Sequence, residues 1–327
     1  MASSSPGASW WGTMNDPEIK DSGRPLVCAV SGGKDSSAMA LWLKESGFEE
    51  TNDIHYVYAD TGWEHKELYS YIDNVVTPLL GDKFHRVMSK KYPGGMTDMV
   101  LQKGAFPSRM GRFCTEQLKK IPIRDYIRGL GNDPLPINAV GIRAAESVAR
   151  SKMDRWEPGS ILGANLCDTW RPLITWVVQD VVDIHRRHSI QPCSLYLRDK
   201  HASERVGCWP CIMAKKSELL SLVKTDPDRI VQIRSLEERV AKRAEDRLAE
   251  SGETFESRGV GKPAFFQAKT GRGGECWPID KVAEWAQTEK GGYQYGLELF
   301  VPNDPSERGC QLWGLCDVPD ENGEFTP

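Results

Sequence analysis

Long apolar runs are missing from this sequence. No stretch approaches the ~20 apolar residues that a spanning helix needs, so a helical membrane protein is excluded. The start, MASSSPGASWWGTMNDPEIKDSG, has no basic residue followed by an apolar run, so no export signal is read there. It reads as a mobile tail over 1–22, with a Trp10–Trp11 pair suited to docking. Excess positive charge is absent too: 42 basic against 46 acidic residues give a net charge of −4. Non-specific nucleic-acid binding through phosphate neutralisation is therefore disfavoured, although a local basic groove stays open. The nine cysteines are an odd number without a secretion signal, which argues against a disulfide framework and for a reducing, cytoplasmic setting.

What the 327 residues do contain is a globular balance, 39% apolar and 27% charged, with 30 glycines, 20 prolines and no internal repeat. The first half alternates strand-like and helix-like segments. A short apolar run at Leu26–Val30, a β-branched and aromatic run at Ile54–Ala59, and candidate segments at Phe84–Met88 and Ile137–Ile142 predict strands. Amphipathic stretches at Ser36–Lys44 and from Gly62 to about Val76 predict helices. Such alternation implies an α/β fold with an open, mostly parallel sheet covered on both faces. Ligands then sit at the carboxyl ends of the strands. Lys90–Arg112 reads as a functional loop or short-helix insertion. Asp226-Pro227 predicts the cap and first turn of a helix whose Ile230, Ile233, Leu236 and Val240 form a packing stripe up to Gly252. The expected organisation is the tail, a nucleotide-binding domain over 23–190, a cysteine-containing helical segment over 191–252, and an irregular extension over 253–327.

Directly after the first strand stands Ser31-Gly32-Gly33-Lys34-Asp35-Ser36. Paired glycines let the backbone present N–H groups to an anion, and the following helix adds its positive end. Lys34 supplies a cation, and Ser31 and Ser36 supply hydroxyls. The GxxxxGK[ST] pattern of the P-loop NTPases is absent, because Cys28 stands at its glycine and Asp35 follows the lysine. SGGKDS in full resembles the fingerprint of the PP-loop ATP pyrophosphatases, of the adenine nucleotide alpha-hydrolase-like superfamily.

Three further blocks sharpen the resemblance. Asp60-Thr61-Gly62-Trp63-Glu64 is similar to the DTGxE segment of the phosphoadenosine phosphosulfate (PAPS) reductase family. Gly141-Ile142-Arg143-Ala144-Ala145-Glu146-Ser147 resembles its GxRxxES segment, and Trp170-Arg171-Pro172 to Trp176 with Asp180-Val181 its WRPxxxW…DV segment. The blocks span Val27 to Ile212, rather more than half of the chain. On chemistry alone, Asp60 suits a ribose or metal contact or a plain turn before Gly62. Arg143 suits a bidentate grip on an oxyanion or a surface pair with Glu146. Trp170 and Trp176 read as core.

Gly207-Cys208-Trp209-Pro210-Cys211 is a CxxC outside any thioredoxin-like surrounding, open to redox, zinc or iron–sulfur readings. The resemblance implies a [4Fe–4S] cluster, since several branches bind one, with a CT-x-x-LK segment (Cys114 to Lys119) and an RxGCxxC segment (Arg205 to Cys211). Cys193 departs from the family, which more often has Asn before Pro-Leu-Tyr. The expected ligands are Cys114, Cys193, Cys208 and Cys211; Cys310 and Cys316 are the rival pair, able to complete the site, to form a second metal knot with Cys276 or to act as a thiol couple, and zinc is the rival ion. Cys28 and Cys167 read as packing residues.

The resemblance also implies catalytic roles for Lys34, Asp35, Asp60 and Arg143. It implies nucleotide contacts from Ser31, Gly32, Gly33, Lys34, Ser36, Asp60, Thr61, Gly62 and Arg143, with ATP, or PAPS/APS, and Mg2+ as ligands. The intact loop leans towards ATP cleavage at the α-phosphate with sulfur transfer. No Glu-Cys-Gly-type nucleophile follows Cys316, as a sulfite-releasing reductase would carry. That reductase, and a non-catalytic nucleotide-binding module in a larger nucleic-acid-modifying or defence complex, remain the rival readings. Implied partners are an adenine nucleotide, a protein donor of sulfur or electrons and a nucleic-acid acceptor; self-association is left open.

Overall fold

The computed structural model describes residues 19–20, 22–131, 133–159, 167–198, 203, 205–266 and 276–289. The Trp10–Trp11 pair, Cys310 and Cys316 lie outside them.

Leu26–Ala29 (β1) is apolar along its whole length because both of its faces are covered. It pairs in parallel with Ile54–Ala59 (β2) on one side and Ile137–Val140 (β4) on the other. Phe84–Val87 (β3) adds to β2 in parallel. All four predicted strands are present. Two more complete the sheet: Asp168–Trp170 (β6) joins β4 in parallel, and Trp156–Glu157 (β5) closes that edge antiparallel. Both are too short to show a period of two in the sequence. The strand order is β3-β2-β1-β4-β6-β5, so the order reverses direction between β1 and β4. That switch point opens a crevice at the strands' carboxyl ends.

Alternation along the strands divides the packing. Leu26, Cys28, Tyr56, Ile137, Ala139 and Trp170 face one core, shared with helix Lys34–Glu45 (α1), the helix over 66–80 (α2) and Val178–Arg187 (α5). Val27 and Val57 face the other way, onto Ile127 of the helix over 113–129 (α4) and Cys167. Helices thus cover both faces. Cys28, Cys167, Trp170 and Trp176 are buried as packing residues.

A second core lies beyond the strand ends. It joins Trp63, Met96 and Met99 of Gly95–Lys103 (α3), Leu118 of α4, Trp209 and Leu222 of Lys216–Thr225 (α6) to the Ile230-Ile233-Leu236-Val240 stripe of Pro227–Glu250 (α7). Gly252 ends α7 at a φ of 71°. Asp226 differs from expectation: its carboxylate does not cap α7 but accepts the Trp209 indole N–H at 3.1 Å. The 253–289 stretch also contains a helix that was not expected, Ile279–Ala286 (α8), tied to α7. Buried Glu237 of α7 accepts the Phe265 and Ile279 amides at 2.8 and 2.9 Å. Among the described residues, no helix is long and apolar enough to cross a membrane.

Candidate functional site

The turn from β1 into α1 is closed by Ser36. Its hydroxyl accepts the Ser31 amide at 3.1 Å and donates to the Gly33 carbonyl at 2.9 Å. A hydroxyl expected to face phosphate therefore shapes the loop, because it sits three residues past that carbonyl at the helix start. Gly32 is required twice over: its φ is +69°, and a Cβ there would meet Leu68 Cδ1 at 2.7 Å and Ile72 Cδ1 at 2.8 Å. The Gly33 amide reaches the Ser31 hydroxyl, and the Lys34 amide the Tyr196 hydroxyl, each at 3.4 Å. These are long bonds to neutral acceptors, which an anion would replace with stronger ones. The Lys34 ammonium lies 3.7 Å from the Asp35 carboxylate and 4.9 Å from the centre of the Tyr196 ring.

Arg143 is buried, and its Nε–H donates to Asp35 Oδ1 at 2.5 Å. Neither sequence reading of its partners anticipates this. Glu146 instead accepts the Arg143 backbone amide at 2.9 Å and pairs through its carboxylate with Arg150. Gly141, at the end of β4, is pressed against α1, where a Cβ would stand 2.8 Å from the Asp35 carbonyl. The two strand ends on either side of the switch point are thereby locked together.

The loop after β2 is equally saturated. Asp60 Oδ1 accepts the Gly62 amide at 2.8 Å, a bond of the turn, and shares the one Tyr69 hydroxyl proton, at 2.8 Å, with Glu64 Oε2. Glu64, which the sequence reading did not single out, is buried and accepts from the Thr61 hydroxyl at 2.5 Å, the Trp63 amide at 3.1 Å and the Tyr69 hydroxyl at 2.9 Å. It also bridges in antiparallel fashion to Cys208. The Thr61 hydroxyl lies 3.6 Å from Cys208 Sγ.

Cys114, Cys208 and Cys211 line one small cavity of ≈ 70 Å³, with Thr61, Lys119 and Arg112. Burial pushes the Cys114 and Cys208 thiols up, while Lys119 draws them down. The Lys119 ammonium is in turn held charged, chiefly by Cys208. Cys193 is not brought to them. It is fully buried in the sheet-side core beside Tyr71 and Tyr196, and burial pushes its thiol up to about 11. Its place in Cys193-Ser194-Leu195-Tyr196 orients it inward against the packed helices. Cys276 lines a different cavity, along α7. Among the described residues no group of three or more His, Cys, Asp or Glu surrounds a point as a single metal ion requires. Three thiols thus face one cavity, and thiolates are ligands of the soft kind that both iron–sulfur clusters and zinc take.

A larger cleft of ≈ 340 Å³ joins the two regions. Ser31, Gly33, Asp35 and Ser36 form one wall, and Gly207, Cys208 and Cys211 the other. Lys119, Arg112, Arg150 and Arg205 add positive charge to its lining. Lys34, Gly32, Arg143 and Asp60–Gly62 support the loops but do not line this cleft. Tyr196, Lys119 and Arg112 are site residues that pattern reading passed over. Lys119 stands inside the CT-x-x-LK segment, and Tyr196 three residues after Cys193; no local pattern marks Arg112.

Known proteins bear on this geometry. The chain is 29% identical over 337 residues to an uncharacterised 37.8 kDa protein in the gpa 5′ region of Escherichia phage 186, covering 89% of this chain and 96% of that protein. It is 29% identical over 207 residues to an uncharacterised nin region protein of Escherichia phage lambda, covering 55% and 68%. Among solved structures, a PAPS reductase from Candida auris matches with a TM-score of 0.41 and 13% identity, over 57% of this chain and 82% of that one. A tRNA thiolase from Methanococcus maripaludis, solved with its [4Fe-4S] cluster, matches with a TM-score of 0.40 and 16% identity, over 70% and 73%. The phosphoadenosine phosphosulfate reductase domain model matches residues 25–214, from the start of β1 to just past the paired cysteines. With more than half of its length matched, the chain belongs to the phosphoadenosine phosphosulfate reductase domain family.

Proposed function

We propose that this protein is an enzyme that binds an adenine nucleotide in the cleft and directs chemistry at its α-phosphate, coupled to sulfur transfer or reduction at the cysteine end. The observation that carries the reading is that Ser31, Gly33, Asp35 and Ser36 line the same cleft as Cys208–Cys211. In this reading the Gly33 and Lys34 amides exchange their long hydroxyl bonds for phosphate oxygens, and Lys34 leaves Asp35 to neutralise the β-phosphate. Arg143 contributes charge beside Asp35 and holds that carboxylate in place. An acceptor oxygen attacks the α-phosphorus, the bond to the bridging oxygen breaks, and pyrophosphate leaves with the electron pair.

Cys114, Cys208 and Cys211 would hold the [4Fe–4S] cluster, which when bound supplies electrons or a sulfur atom at the far wall. Arg150 and Arg205 pair with Glu146 and Glu218 of the same lining, so Lys119 and Arg112 are the cations that favour an anionic acceptor, of which a nucleic acid is one. Family membership favours a second reading, reduction of APS or PAPS to sulfite with an external electron donor.

The test is to incubate the anaerobically purified protein with ATP, and separately with PAPS plus reduced thioredoxin. Pyrophosphate from ATP supports the first reading and sulfite from PAPS the second. Lys34→Ala should abolish either product while melting as the wild type does. Release of orthophosphate from ATP, or unchanged turnover in Lys34→Ala, would sink the phosphate-loop assignment.

A further inference from the structure

Arg229, in the first turn of α7, lies beyond the segment matched to the family, yet it grips both loops that carry the cysteine wall. Its Nε–H donates to the Trp209 carbonyl at 2.7 Å and its Nη2–H to the Trp63 carbonyl at 3.1 Å. The guanidinium carbon stands 3.9 Å from the centre of the Trp63 ring. These carbonyls belong to the two short segments that meet at the Glu64–Cys208 bridge. There the Trp209 amide also donates to the Trp63 carbonyl at 2.8 Å. The indoles extend the same tie, Trp63 Nε1–H to the Pro210 carbonyl at 3.2 Å and Trp209 Nε1–H to Asp226 at 3.1 Å.

One isolated bridge holds two loops only weakly. A planar fork that bonds one carbonyl on each, while stacked on an indole, removes the freedom of one loop to slide along the other. Lysine has neither the fork nor the flat face. We propose that Arg229 is a positioning residue for this site: it fixes the register between the loop over 60–64 and the loop over 207–211, and so sets where Cys208 stands against the nucleotide cleft. The inference rests on the reading of Cys208 as a cluster ligand at the nucleotide cleft, and it adds a residue of α7 to the machinery.

The test uses full-length protein purified anaerobically as wild type, Arg229→Lys and Arg229→Gln. Iron content, visible spectrum, ATP affinity, and amide hydrogen exchange in peptides covering 60–66 and 206–213 are measured. Arg229→Gln should speed exchange in both peptides by about tenfold or more, the loss of hydrogen bonds to a charged group. It should also lose iron or shift the visible spectrum, with ATP affinity changed by less than about twofold, because the phosphate loop shares no partner with Arg229. Arg229→Lys, which keeps the charge without the fork, should fall between.

Wild-type exchange over 206–213 in folded Arg229→Gln overturns the proposal, as does a parallel fall in ATP affinity. If Arg229→Gln fails to fold, Arg229→Lys decides, and wild-type behaviour in that variant overturns the proposal. Should the wild type carry no iron, the cluster reading fails while the exchange measurement still decides the role of Arg229.

Discussion

The turn of the phosphate-loop wall is closed by bonds between near neighbours, Ser31 to Ser36 and Ser36 to Gly33, to which the Tyr196 hydroxyl and Arg143 add ties from far along the chain. The cysteine wall is closed across 147 positions, between Thr61 and Cys208. The turn of the first wall is written into six consecutive residues between a strand and a helix, and the distant ties only brace it. The second exists only because α3, α4, α6 and α7 pack into one core that brings three loops together. Damage far from the cleft should therefore reach the cysteines before it reaches the phosphate loop.

The sharpest way to break this comparison is through the cysteines. Cys114→Ser, Cys208→Ser and Cys211→Ser should each lose essentially all bound iron and the brown colour, while Cys193→Ser and Cys276→Ser retain both. Iron assays on the anaerobically purified variants check it; iron loss in Cys193→Ser would return that residue to the ligand set.

Next in size is Glu237→Ala, which strands the buried Phe265 and Ile279 amides. It should cost roughly 3–5 kcal/mol, two hydrogen bonds to a charged acceptor, in equilibrium urea unfolding. The exposed Arg234–Asp280 pair ties α7 to α8 as well, yet Arg234→Ala should leave the transition where it was. If the two variants behave alike, burial is not what fastens α8.

Acid should weaken the sheet side through His185 of α5, whose imidazole burial pulls down from 6.5 to about 4. Below pH 6.5 the unfolded chain takes up a proton that the folded chain refuses until about pH 4. Stability is therefore unaffected above pH 6.5 and falls as the pH drops through that window, by up to roughly 3 kcal/mol. Denaturant midpoints of the wild type and His185→Gln across this range should converge at neutral pH and separate in acid.

The smallest of the expected losses belongs to Gly32→Ala, about 2 kcal/mol from a left-handed φ and the contacts with Leu68 and Ile72. The cysteine wall should not feel it. Its melting temperature should fall modestly with iron content unchanged, and iron loss would show that the two walls are not independent.

Much of the fold is legible in the sequence because its signals are local. The strands Leu26–Ala29, Ile54–Ala59, Phe84–Val87 and Ile137–Val140 are short segments with apolar, β-branched or aromatic residues, and the stripe of α7 recurs at helical spacing. The phosphate loop is legible for the same reason, since its glycines permit the turn and Ser36, within the same six residues, closes it. What only the tertiary structure decided is which side chains meet. Arg143 goes to Asp35 across 108 positions, Asp226 leaves its cap for Trp209, and Glu64 turns inward beneath Cys208. Cys114 joins Cys208 and Cys211 at one cavity, while Cys193, much nearer to them in sequence, is buried in the other core. Residue type and spacing determine what a segment can form. Partners a hundred residues apart are chosen by how the helices pack on the sheet, and no local pattern carries that information.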